Sequence, residues 1–274
     1  MTARALLLGL LLSGCQQREA LPPALAPTPP PRLKTGKVYI SGVSYASGSD
    51  RFSAAITGAH FFATRPATTT ATIGPCDLRV KSRPPAGSAP LVEASAGTIT
   101  ITGGKRPFTL AAEGGAGPIY PRQQLEVLAW AGGEQLTVEA SGAEVPHFSA
   151  IVRAPGYLKL SDPVVKAGAK KRIARDQDLT FKWAPSDGAD VVLVFGGATT
   201  DGWRELDCRF KGTAGQGLVP AAALAELPAG TGVHHGFATQ TPEVKAGDWT
   251  VALQISSALL SSDGDQLYQV VEYR

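Results

Sequence analysis

The sequence predicts an all-β protein, with two β-sandwich domains following a short leader and a proline-rich tether. Three observations carry this. Runs that alternate apolar with polar residues recur along the chain, as in Lys37-Val38-Tyr39-Ile40-Ser41-Gly42-Val43 and Gly97-Thr98-Ile99-Thr100-Ile101-Thr102. That period of two is the pattern of a strand with one buried face. The chain also holds 31 Gly and 21 Pro against only 18% charged residues, a balance that favours strands and turns over long helices. Helix signals are confined to 220–228, where one Pro opens a short Ala/Leu run and another, followed by Ala-Gly, closes it.

Residues 1–14 read as an export leader. One positive charge at Arg4 precedes the apolar run Ala5 to Leu12, and small residues lead up to Cys15. The run falls well short of the roughly 20 residues that span a bilayer. Leu12-Ser13-Gly14-Cys15 resembles the lipobox of bacterial lipoproteins at every position. The resemblance implies cleavage before Cys15, diacylglycerol on its sulfur and acylation of the new amino group. Two or three buried acyl chains, at about 0.8 kcal/mol per methylene, make a stable anchor. In Gram-negative lipoproteins an Asp after the lipidated Cys retains the protein in the inner membrane. Gln16 stands there in this chain, so the resemblance implies the outer membrane.

Residues 15–35 hold the lipidated Cys15 and a tether containing Leu21-Pro22-Pro23-Ala24-Leu25-Ala26-Pro27-Thr28-Pro29-Pro30-Pro31. Such a segment favours extended polyproline II, at about 3.1 Å per residue, and serves as a spacer. Residues 36–163 are expected to form the first β-sandwich, with strands at 37–43, 55–62, 97–102, 108–110, 124–130, 135–139, 148–153 and 157–160.

The basic cluster Lys166, Lys170, Lys171, Arg172 and Arg175 reads as a solvated linker over 164–175, or else as a contact for anionic headgroups. Residues 176–274 are expected to form the second sandwich. Strands fall at 179–183, 191–195, 246–255 and 270–273. The stretch Gly247-Asp248-Trp249-Thr250-Val251-Ala252-Leu253 resembles the late strand of immunoglobulin-like and fibronectin-III-like domains, with Trp249 where Tyr is usual. Trp130 and Trp183 read as core anchors. Lipobox, tether and β-domains together resemble uncharacterised lipoproteins of Gram-negative bacteria, a resemblance that carries no active residues.

Once Cys15 is lipidated, Cys76 and Cys208 remain, both in strand-like settings and in an oxidising compartment. A disulfide between them and two separate buried thiols are equally compatible with the sequence. Neither has Cys or His neighbours at metal-ligand spacing.

Signatures of catalysis are missing: no Gly-x-Ser-x-Gly, no His-Glu-x-x-His, no phosphate loop and no dinucleotide fingerprint. Alternation along Val233-His234-His235-Gly236-Phe237 sends the two imidazoles to opposite faces of a strand, so no metal is expected there. His60 reads as a packed strand residue and His147 as a surface partner of Glu144. Asp187-Gly188-Ala189-Asp190 and Asp263-Gly264-Asp265 read as hairpin turns, with Ca²⁺ binding the alternative. Trp203 lies in an apparent loop, Thr200-Asp201-Gly202-Trp203, as a possible contact for a sugar or a partner, or else in structural packing.

A net charge of +3 is too small and dispersed for a nucleic-acid surface. The expected role is therefore non-enzymatic and cofactor-free. It is that of a lipid-anchored envelope protein binding a protein or carbohydrate partner. The alternatives are an envelope hydrolase or carbohydrate-active enzyme, and a Ca²⁺-stabilised adhesion module.

Overall fold

The computed structural model describes residues 34–47, 50–62, 69–82, 93–114, 119–125, 130–163, 171–186, 188–261 and 268–274. Within them the chain is almost wholly strand. In order these are β1 (Thr35–Ser47), β2 (Asp50–Phe62), β3 (Thr69–Ile73), β4 (Cys76–Ser82), β5 (Ile99–Thr102), β6 (Phe108–Leu110) and β7 (Tyr120–Leu125). They continue with β8 (Gln135–Ala140), β9 (Phe148–Arg153), β10 (Leu160–Asp162), β11 (Lys171–Ile173), β12 (Leu179–Trp183), β13 (Asp190–Thr199) and β14 (Gly202–Lys211). The last are β15 (Gln216–Val219), the single-turn helix α1 (Ala221–Leu224), β16 (Gly230–Gln240), β17 (Glu243–Ala246), β18 (Trp249–Ala258) and β19 (Tyr268–Tyr273). The all-β expectation holds.

One 12-stranded sheet runs through the molecule along the path β3-β4-β14-β13-β16-β18-β1-β2-β7. It forks at β16, whose first half pairs with β19 and whose last residues pair with β18. A four-stranded sheet, β6-β5-β8-β9, and a three-stranded sheet, β10-β12-β15, complete the structure. The small sheets cover two ends of one face of the large sheet, and each encloses its own core. The first core gathers Val38, Ile40, Phe61, Trp249, Val251 and Leu253 from the large sheet against Ile99, Ile101, Leu136, Val138 and Phe148. The second gathers Leu78, Leu193, Phe195, Leu206 and Tyr273 against Phe181, Trp183, Val219 and Leu224. The alternation read in 37–43 and 97–102 is the signature of this arrangement, because every second side chain points into a core.

Residues 32–274 form one compact unit. β18, from the end of the chain, pairs in parallel with β1 over Thr35↔Thr250 to Gly42↔Ser257. β4, from the beginning, pairs antiparallel with β14. Strands from both halves therefore complete both cores. Alternation reports which face of a strand is buried but not which strand lies beside it.

The basic stretch also departs from the solvated-linker expectation. Lys171–Ile173 is a strand paired in parallel with β19, and Ile173 is buried in the second core. The Arg175 guanidinium donates to the carbonyl oxygens of Leu227 and Ala225 at 2.8 and 3.3 Å. Lys166 and Lys170 lie outside the described residues, as do Cys15 and the tether up to residue 33. The expected helix over 220–228 shrinks to one turn. Trp130 and Trp183 are core residues, and the Trp183 indole N–H donates to the Gly212 carbonyl at 2.9 Å.

Candidate functional site: the uncovered face of the large sheet

Among the described residues both small sheets pack on the core side of the large sheet, and neither lies over its opposite face. Its composition follows from the strand period. With Leu206 and Cys208 turned inward, β14 turns Glu205, Asp207 and Arg209 outward; with Cys76 and Leu78 inward, β4 presents Asp77, Arg79 and Lys81. β13 adds Val192 and Val194, β16 adds His235 and Phe237, β18 adds Gln254 and β1 adds Lys37. All of these side chains except Asp77 and Lys81 line a depression of about 340 Å³.

Register arranges the charges. Cys76 stands opposite Cys208 and joins it in a disulfide, which pins β4 to β14 from the core side. That register sets Arg79 opposite Glu205, Lys81 opposite Trp203 and Asp77 opposite Asp207. Facing carboxylates repel. The repulsion is relieved because each cation leans one step diagonally: the Arg79 guanidinium reaches Asp207 at 2.8 Å and the Lys81 ammonium reaches both Glu205 oxygens at 2.9 Å. Asp77 instead accepts from the Thr72 hydroxyl at 2.8 Å. At the next step, Asp190 accepts from Lys211 at 3.0 Å and from Arg209 at 3.4 Å.

Asp207 and Glu205 are largely shielded, with side chains 19% and 17% exposed. Burial pushes the Asp207 carboxyl above the usual carboxylate range, against the pull of the neighbouring Arg79 guanidinium. Burial also lowers the His235 imidazole, with Glu205 opposing. Carboxylates and guanidinium in such a setting are rigid, partly desolvated and already neutralised. They suit directed hydrogen bonding to a ligand better than attraction of a charged one.

Trp203, expected on a loop, opens β14 instead. Its indole occupies the space above Gly196, where an added Cβ would stand 2.6 Å from the ring. It belongs to the same face as Glu205 and Asp207. Cys76 and Cys208 are buried and bonded, supporting the site from beneath.

The alternating histidines fall as their strand dictates. His235 turns to the open face, while His234 is buried between Phe181 and Phe195, stacked on the latter at 4.4 Å. Burial lowers the His234 pKa to about 3. His60 packs between Tyr39 and Phe62. His147 contacts Glu139 at 3.2 Å rather than Glu144, whose carboxylate accepts from the Ser95 amide. Asp187, Asp263 and Asp265 lie outside the described residues, and among the described residues no group of His, Cys, Asp or Glu could hold a metal ion.

Sequence reasoning found Trp203 but passed over Lys37, Arg79, Glu205, Asp207 and Gln254. The available signal was the alternation in Asp77-Leu78-Arg79-Val80-Lys81 and Glu205-Leu206-Asp207-Cys208-Arg209. It marks two polar faces, and only the pairing of β4 with β14 makes them one surface. Among the described residues no helix is long and apolar enough to cross a membrane. No protein-family model matches this chain, and no curated protein matches it.

Proposed function

We propose that this protein is a non-enzymatic lipoprotein of the outer membrane, lipidated on Cys15 and extended on its tether. On this reading it binds an envelope protein or carbohydrate with the face of its large sheet opposite the two cores. The observation that carries the reading is the depression beside Arg79, Glu205 and Asp207, a shielded polar surface built from four neighbouring strands and more. A binding role is favoured over acid–base chemistry because both central carboxylates are held by cations, Asp207 by Arg79 and Glu205 by Lys81. In fold terms, we take the protein as two sandwich layers set side by side along one shared sheet.

The anchor is tested by fractionating cells that express wild type or Cys15→Ala, followed by protease treatment of intact cells. Wild type is expected in the membrane fraction and Cys15→Ala in the soluble fraction. Membrane attachment that survives Cys15→Ala defeats the lipoprotein reading. Cleavage on intact cells places the domain outside, and protection places it in the periplasm.

A further inference from the structure

We infer that the face of the large sheet opposite the two cores is a binding site for an uncharged, hydroxyl-rich linear glycan, an inference that rests on the reading of that face as the binding surface. Charge comes first. The cations along β4 and β14 are matched at short range by Asp207, Glu205 and Asp190. An anionic ligand would have to displace these carboxylates, and a cationic one would have to displace the arginines and lysines. A neutral ligand meets the face as it stands.

Hydrogen-bonding capacity comes second. Each ion pair leaves carboxylate lone pairs and guanidinium or ammonium hydrogens in reserve. The Arg79 Nε is buried without a hydrogen-bond partner. Only one hydrogen of the Gln254 amide is accounted for, by Ser256 at 3.3 Å. Donors and acceptors thus alternate over short distances. A sugar hydroxyl both donates and accepts, so vicinal hydroxyls can satisfy a carboxylate and a guanidinium together.

Apolar features come third. The centre of a protein-binding patch is usually depleted of charge and anchored by large apolar side chains. Here charge is retained: Arg79, Glu205, Asp207 and Arg209 line the β4 and β14 side of the depression. Of the large exposed hydrophobic residues described, only Val270 sits on a strand of the large sheet. Aromatic surface lies beside the ions instead, at Trp203 over Gly196 and at Phe237 against His235. Aromatic faces carry negative charge density and attract the C–H-bearing face of a pyranose ring.

Finally, the surface is long in one direction. From β4 to β1 the path crosses β14, β13, β16 and β18, which at strand spacing is about 24 Å. That is room for several consecutive sugar rings.

The test uses the full mature chain, lipid included, in detergent. Linear hexasaccharides of glucose, mannose and N-acetylglucosamine, and an oligogalacturonate of equal length, are titrated by calorimetry and by tryptophan fluorescence. At least one uncharged oligomer is expected to bind, and the anionic one to bind more weakly. Trp203→Ala and Asp207→Asn are each expected to weaken that binding by about tenfold or more, with the melting transition retained. Leu218→Ala, exposed on β15 of the three-stranded sheet, should leave it unchanged. Should Trp203→Ala not fold, Gln254→Ala takes its place.

Binding of no uncharged oligomer, or binding indifferent to these substitutions, overturns the inference. A photo-crosslinker at position 254 in cells separates the two possible failures. Capture of an envelope protein without oligosaccharide binding overturns the glycan but leaves the face as a binding surface. Neither capture nor oligosaccharide binding overturns both.

Discussion

At the scale of single residues, the second core carries two ionisable groups at a cost. Lys171 places its ammonium 5.2 Å from the centre of the Phe181 ring and finds no hydrogen-bond partner. Burial pulls its pKa from 10.5 down to about 8, with Asp162 offsetting part of the effect. Below pH 8 the folded protein must hold this lysine charged in an apolar setting. The unfolded chain charges it freely in water. The penalty is therefore full at neutral pH and disappears as pH rises towards 10.5. The whole pKa difference corresponds to roughly 3 kcal/mol, and water reaching part of the side chain reduces that to about 1–2 kcal/mol. Lys171→Met keeps the stem and removes the charge. It is expected to be more stable than wild type by that amount in urea unfolding at pH 7, with the gain gone near pH 10.5. Equal stability at pH 7 would show the ammonium to be solvated. His234 works in the opposite range. With its folded pKa near 3, it stays neutral in the core at neutral pH, and its contribution to stability declines as pH falls below the unfolded value of 6.5.

At the scale of elements, the β3–β4 hairpin depends on its link to β14. Among the described residues the hairpin's only sheet partner is β14, and the disulfide closes a separation of 132 residues. On the chain-entropy account a loop of that length stabilises by up to roughly 5 kcal/mol. The hairpin also carries Arg79 and Lys81, so the bond supports the ion pairs of the open face. Replacing both cysteines by Ala is expected to lower the unfolding free energy by about 2–5 kcal/mol. Amide exchange at Leu78, Val80 and Leu206 should accelerate by more than exchange at Val38 and Ile40. Uniform acceleration across both groups would mean that the bond stabilises only the global fold and not this hairpin.

At the scale of the whole molecule, one continuous sheet makes the two cores interdependent. The first core draws Trp249, Val251, Leu253 and Ile255 from the last part of the chain, and the second draws Cys76 and Leu78 from the first. A fragment ending at residue 163 lacks β18, and its β1 would expose a long unpaired edge. Fragments 16–163 and 176–274 are therefore expected to show no cooperative melting by circular dichroism when separate. The intact chain should melt in one transition. Independent melting of either fragment would show a division at 164–175.

Sequence by itself determined the local facts. Period-two alternation marked the strands at 37–43, 148–153 and 179–183, the buried face of Trp183, and the opposite orientations of His234 and His235. These depend on backbone geometry and side-chain polarity, which operate between neighbours in the chain. Tertiary structure alone decided which strands pair, that Cys76 meets Cys208, that β11 joins the sheet, and that Arg79, Glu205 and Asp207 converge with Trp203 on one face. Those outcomes depend on contacts between residues a hundred or more positions apart. Alternation is identical for every strand that buries one face, so it specifies inside and outside but not the neighbour.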